Sequence, residues 1–136
     1  MQTDLFKKIA ILIEQNPVET VLYSDTLAAN GFEVFVTSSP MEAFVKLREE
    51  EVDLILIDIA NSSQNFVDKF IKNIRKEKKC EFTTIIGLSL YSAIDEKNMY
   101  LGMDMCLTKP CSIDMLIESV FSCIENKRNG GECINC

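Results

Sequence analysis

The stretch DLILIDIANS, residues 53–62, runs through four consecutive apolar residues, Leu54 to Ile57, into the carboxylate Asp58 and then into a polar loop. Four such residues without alternation make a strand buried on both faces, the kind found inside a parallel sheet. Ending that strand on an acid sets a charge where leaving water costs most. Asp58 is therefore either a solvated strand end or a working residue, and the rest of the chain decides between them.

On both sides of this strand the same alternation recurs. Ile9 to Ile13 is a strand, and NPVE (16–19) after it is a helix start, with Asn16 as N-cap, Pro17 at the first helical position and Glu19 three after the cap. Val18, Val21, Leu22, Ala28 and Ala29 then mark an apolar face that ends at Gly31. Phe32 to Val36 is a second strand. SSPMEA (38–43) repeats the start signal with Ser39, Pro40 and Glu42, and opens a helix to about residue 50. The third strand is followed by a helix from Phe66 to about Lys78, and Thr83 to Leu88 by a short helix from Ser92 and Asp95 to near Gly102. Met105 to Leu107 is a brief fifth strand. Ser112 caps a last helix with the stripe Ile113, Leu116, Ile117, Val120, Phe121 and Ile124. Five buried strands alternating with five helices predict an α/β fold, a doubly wound parallel sheet covered on both faces through right-handed crossovers.

Composition narrows the function. The 136 residues predict one domain, residues 1–126, followed by a disordered tail, KRNGGECINC, over 127–136. A net charge of −7 argues against nucleic acid and anionic membrane as partners. No apolar run spans a bilayer and no signal cleavage site is present, so a cytoplasmic protein is expected. The absence of histidine excludes His-based zinc sites, catalytic triads and histidine general bases. Of the six cysteines, Cys80, Cys106, Cys111 and Cys123 show no metal-ligand spacing. CINC (133–136) sits on a Gly-Gly tail, not at a helix start after a strand, and is read as free thiols.

In a doubly wound sheet the working residues lie beyond the carboxyl ends of the strands. Those ends carry Glu14-Gln15-Asn16, Asp58, Ser89 and Lys109-Pro110. Two carboxylates, a hydroxyl and an ammonium describe a site for a divalent cation and a phosphoryl group, with oxygens for the metal and Lys and Ser for the phosphate.

In these pieces the chain resembles the response-regulator receiver domain of two-component signalling, from about Lys8 to Ile124. ILIEQNP (11–17) matches the acidic pair after strand one, DLILIDI (53–59) the strand bearing the phosphoacceptor, IIGLS (85–89) the strand ending in Thr/Ser, and LTKP (107–110) the Lys-Pro element. The resemblance implies a flavodoxin-like sheet of order 2-1-3-4-5, and a ten-residue tail too short to fold into an output domain leads to the expectation of a stand-alone receiver. The resemblance also implies a phosphoryl group accepted on Asp58 from a histidine kinase or phosphotransfer protein, then passed as a signal to a downstream protein target through the fourth helix, fifth strand and fifth helix. Glu14, Gln15, Asp58 and the Ala60 carbonyl would hold Mg²⁺, Ser89 would contact the phosphoryl group, and Lys109 would pair with it. The protein would not be an enzyme.

Three positions depart from the family pattern. Gln15 replaces the second acid, so Mg²⁺ is expected to bind weakly. The loop DIANSSQNF (58–66) lacks the usual Pro and Gly and is one residue short. Cys106 replaces a switch aromatic and is read as half-buried packing. These departures define the alternative, a pseudo-receiver that binds proteins without phosphorylation. A flavin- or nucleotide-binding domain of like topology would need a Gly- or Ser/Thr-rich cradle after strand one, and EQNPVE offers none.

Overall fold

Each α-helix start among the described residues is closed by a side chain that supplies the missing backbone acceptor. Asn16 accepts hydrogen bonds from the amides of Val18 and Glu19, Ser39 from Glu42, and Ser112 from Met115. Ser63 does the same for Phe66 and so starts the third helix earlier than its apolar pattern suggests. The computed structural model describes residues 7–60, 63–90 and 102–130. In order they form β1 (Lys8–Ile13), α1 (Pro17–Ala29), β2 (Phe32–Thr37), α2 (Pro40–Glu49), β3 (Leu54–Asp58), α3 (Gln64–Lys76), a 3-10 turn (Lys78–Cys80), β4 (Thr84–Ser89), β5 (Met105–Thr108) and α4 (Ile113–Arg128). The short helix expected between β4 and β5 lies outside the described residues. So the last of the five expected helices is α4 here.

The sheet is parallel throughout, in the order β2-β1-β3-β4-β5. Successive side chains of a strand point to opposite faces, and here both faces are apolar. Ile11, Ile13, Ile55, Ile57 and Ile85 pack with Ala43 and Leu47 of α2 and with Val67, Ile71 and Ile74 of α3. Ala10, Leu12, Leu54, Leu56, Ile86 and Leu88 pack with Tyr23 and Leu27 of α1 and with Leu116, Val120 and Ile124 of α4. A Cβ at Gly87 of β4 would stand 2.8 Å from the Met103 sulfur, so any side chain there would require Met103 to shift.

Several expectations are corrected. Only β3 and β4 are buried at every position; β2, at the sheet edge, leaves Val36 39% exposed. The apolar face assigned to α1 is turned to solvent: Val18, Val21, Leu22, Ala28 and Ala29 are exposed, while Tyr23, Thr26 and Leu27 are buried. That helix carries apolar residues on both sides, and the larger ring and its neighbour Leu27 take the core. In α4, Ile113 is exposed and Cys123 buried, so the inward stripe begins one turn later. The helix runs to Arg128, two residues past 126, and Lys127 Nζ lies 2.8 Å from Asp104 Oδ1.

That contact belongs to a cluster at the amino ends of β4 and β5. Arg75 of α3 donates from Nε to the Gly102 carbonyl, from Nη1 to the carbonyls of Cys80 and Thr83, and from Nη2 to Asp104 Oδ2 at 2.9 Å. Asp104 Oδ2 also accepts the Ile85 amide. One planar guanidinium thus ties α3, the 3-10 turn and β5 together, a geometry that lysine cannot reproduce. Arg75→Ala strands these acceptors and is expected to lower stability by about 2–3 kcal/mol, with Arg75→Lys recovering little. Urea unfolding of the three proteins measures this; a loss equal to that of an ordinary surface substitution would refute it.

Candidate functional site

The sheet register assembles the site. Ile13 of β1 is level with Ile57 of β3, so Glu14 and Asp58 emerge side by side one residue later. Leu88 is level with Asp58, and Ser89 with Thr108, which brings Lys109 in from β5. The Lys109 amide donates to the Ser89 carbonyl at 2.6 Å, and the following Lys109–Pro110 peptide is cis.

Lys109 is 8% exposed and its ammonium meets three carboxylates: Glu19 Oε1 at 2.7 Å, Glu14 Oε1 at 3.1 Å and Asp58 Oδ1 at 3.3 Å. Asp58 Oδ1 also accepts the Ala60 amide at 3.0 Å. Glu14 Oε2 accepts the amides of Gln15 and Asn16. A neighbouring cleft of about 50 Å³ is lined by Ile13, Glu14, Gln15, Ser38, Pro40, Asp58 and Phe66. Gln15 is exposed at its rim. Ser89 is buried at the end of β4, with the half-buried Cys106 thiol as a hydrogen-bond neighbour.

Electrostatics follow from burying more acid than base. Burial raises the Glu14 pKa above the ordinary carboxylate value and the adjoining Asp58 adds to it, against the Asn16 amide and Lys109, which pull it down. Burial works against the Lys109 charge, yet hydrogen bonds to Glu19 and Glu14 and the field of Asp58 outweigh it and raise its pKa. The Tyr23 phenol, 4% exposed, is pushed up to about 12, chiefly by burial and then by nearby negative charge. Burial likewise raises the Cys106 thiol, leaving it a packing residue and not a thiolate.

Every candidate residue read from the sequence (Glu14, Gln15, Asp58, Ala60, Ser89 and Lys109) stands at this end of the sheet. Glu19 is the residue that sequence reading missed. Its place three after Asn16 suggests a capping box, but the Asn16 amide is taken by Glu14, and the Glu19 carboxylate turns to Lys109 instead. Tyr23, one turn on, donates to the same Glu19 oxygen at 3.4 Å. The four-residue spacing of Glu19 and Tyr23 was the available signal. Among the described residues, no group of three or more Cys, Asp or Glu side chains is arranged to hold a metal ion. Nor is any described helix long and apolar enough to cross a membrane.

Known proteins of the same build place these observations. The polar-differentiation response regulator DivK of Brucella ovis is 26% identical over 117 residues, covering 85% of this chain and 94% of DivK. A response regulator from Thermotoga maritima superposes with a TM-score of 0.73 at 24% identity, over 88% of this chain and 98% of its own. The receiver domain of sensor histidine kinase PA1611 from Pseudomonas aeruginosa, solved with magnesium coordinated in its active site cleft, gives 0.74 at 21% identity over 88% and 98%. The model of the response regulator receiver domain matches residues 10–121, and with that sheet order and the acids and lysine at its carboxyl end, the chain belongs to this family of two-component signalling modules.

Proposed function

We propose that Asp58 accepts a phosphoryl group from a phosphohistidine of a histidine kinase or phosphotransfer protein, and that the chain signals onward by binding a protein target in the cytoplasm. It would process no separate substrate of its own. The observation that carries this reading is the buried Asp58 carboxylate at the end of β3, with the Lys109 ammonium 3.3 Å from its Oδ1. A carboxylate oxygen would form the new P–O bond as the donor's P–N bond breaks, and the electron pair of that bond would return to the imidazole nitrogen. Lys109 would hold the transferred oxygens by charge-assisted hydrogen bonds, and the Ser89 hydroxyl would bond one of them.

The donors fit Mg²⁺ in kind. Glu14 and Asp58 carboxylates, the Gln15 amide oxygen and the Ala60 carbonyl are hard oxygens beside a small polar cleft. Bound there, the ion supplies positive charge for the phosphoryl oxygens. The donors fit less well in charge, since Gln15 brings none. The same fact favours the second reading, a pseudo-receiver that binds proteins constitutively. The target surface would be β5, α4 and the segment before β5, with the half-buried Cys106 giving a smaller rearrangement than an aromatic would.

Three outcomes are expected. Treatment with phosphoramidate and Mg²⁺ should add one phosphoryl group by intact mass, and Asp58→Asn should abolish it. No adduct on the unmodified chain would instead support the pseudo-receiver. Gln15→Asp should tighten Mg²⁺ by at least about tenfold in calorimetry, given one more charge a few ångströms from the ion, and should lower metal-free stability. An unchanged affinity would remove Gln15 from the metal site.

The third concerns pH. Because the folded-state pKa of Glu14 is raised, the stability contributed by its protonation is present below the unfolded value of 4.5 and is lost as pH rises through the folded value. The metal-free protein should therefore gain on Glu14→Gln as pH falls from 7 toward 4.5, the variant being the more stable near neutrality. Urea midpoints across that range give the comparison, and parallel curves would count against the shift.

A further inference from the structure

Lys109 holds three donor protons, and three carboxylates take them, so the ammonium has no donor left over for a newcomer. An additional acceptor must displace one of the three. Glu14 and Asp58 are poor candidates to leave, because their side chains are 0% and 3% exposed and a buried carboxylate stripped of its cation is costly. The Glu19 side chain is 28% exposed, and water can take over its solvation. It is also the partner with the shortest contact, 2.7 Å, and Tyr23 steadies its Oε1 from the next turn of α1. Its carboxylate does not close the capping box that its position offers, because the Asn16 amide is already bonded to Glu14.

We propose that Glu19 is a positioning residue that holds the Lys109 ammonium while Asp58 is unmodified and is displaced from it when a phosphoryl group arrives on Asp58. The proposal rests on Asp58 being the phosphoacceptor. Glu19 then has two roles set by one contact. In the resting site it completes the compensation of a buried cation. On phosphorylation it is the competitor that the phosphoryl oxygens must beat, which weakens the modified state relative to a site without it. The exchange also frees the Glu19–Tyr23 pair, so the first turns of α1 register the state of Asp58.

Beryllofluoride with saturating Mg²⁺ reports the competition, and urea unfolding of the metal-free protein reports the ion pair. Glu19→Gln keeps the length of the side chain and removes its charge. Glu19→Asp keeps the negative charge that favours a helix start but is one methylene too short for Lys109. Both should bind beryllofluoride about twofold to fivefold more tightly than the unmodified chain, the size expected for losing an ion pair with a solvent-exposed partner. In a Lys109→Met background, Glu19→Gln should leave beryllofluoride affinity unchanged. The urea midpoint should fall on Glu19→Gln when Lys109 is present and stay or rise when it is Met.

If Glu19 only supports the helix start, Glu19→Asp will behave as the unmodified chain and the Glu19→Gln effect will persist without Lys109; either result overturns the proposal. Equal beryllofluoride affinities in the unmodified chain and Glu19→Gln overturn the competition while leaving Asp58 as acceptor. Absence of beryllofluoride binding in all variants, with no phosphoramidate adduct, overturns the phosphoacceptor reading and the competition with it.

Discussion

One ammonium group surrounded by three carboxylates sets the terms for this end of the molecule. Lys109 could not be buried alone, and Glu14 and Asp58 could not be buried side by side without it. Each element that ends here is held by that mutual requirement: β1 through Glu14, β3 through Asp58, α1 through Glu19 and β5 through Lys109. The balance still leaves an excess of negative charge: burial, with Asp58 beside it, makes Glu14 resist ionisation, and the acids around Lys109 hold its proton against that same burial. A site in this condition favours any added cation and tolerates an added anion only if an existing acid gives way.

Gln15 tempers that condition. An acid at the cleft rim would raise the repulsion on Glu14 and Asp58 while strengthening the hold on a divalent ion. The amide does neither. The acids are correspondingly easier to bury, and the carboxylates that line the cleft are those of two side chains, Glu14 and Asp58.

Much of the fold could be read from the sequence because the deciding signals are local. Unbroken apolar runs at Ile9–Ile13 and Leu54–Ile57 announce strands buried on both faces, and Asn16, Ser39 and Ser112 announce the helices that follow them. The acids and the lysine of the site were legible for the same reason: each directly follows or ends a strand. What failed depended on orientation or on distant partners. α1 has apolar residues on two sides, so periodicity could not say which side faces the core. Glu19 satisfies a local capping pattern, and only the packing of Lys109, 90 positions later by their numbers, draws it away. Arg75 and Asp104 are separated by 29 residues and look like ordinary surface charges until β5 is laid beside β4.

The anchorage of β5 at both ends gives that short strand a mechanical character. Asp104, gripped by Arg75, Lys127 and the Ile85 amide, precedes it, and Lys109 follows it. Five residues of extended chain span about 16 Å, so the strand acts as a strut with a clamped foot and a charged tip. Such a strut transmits little slack: an ammonium carried on it holds its place because the far end cannot slide. Precision at the acidic site is thus partly owed to a guanidinium on the opposite rim of the sheet, a residue that touches none of the chemistry.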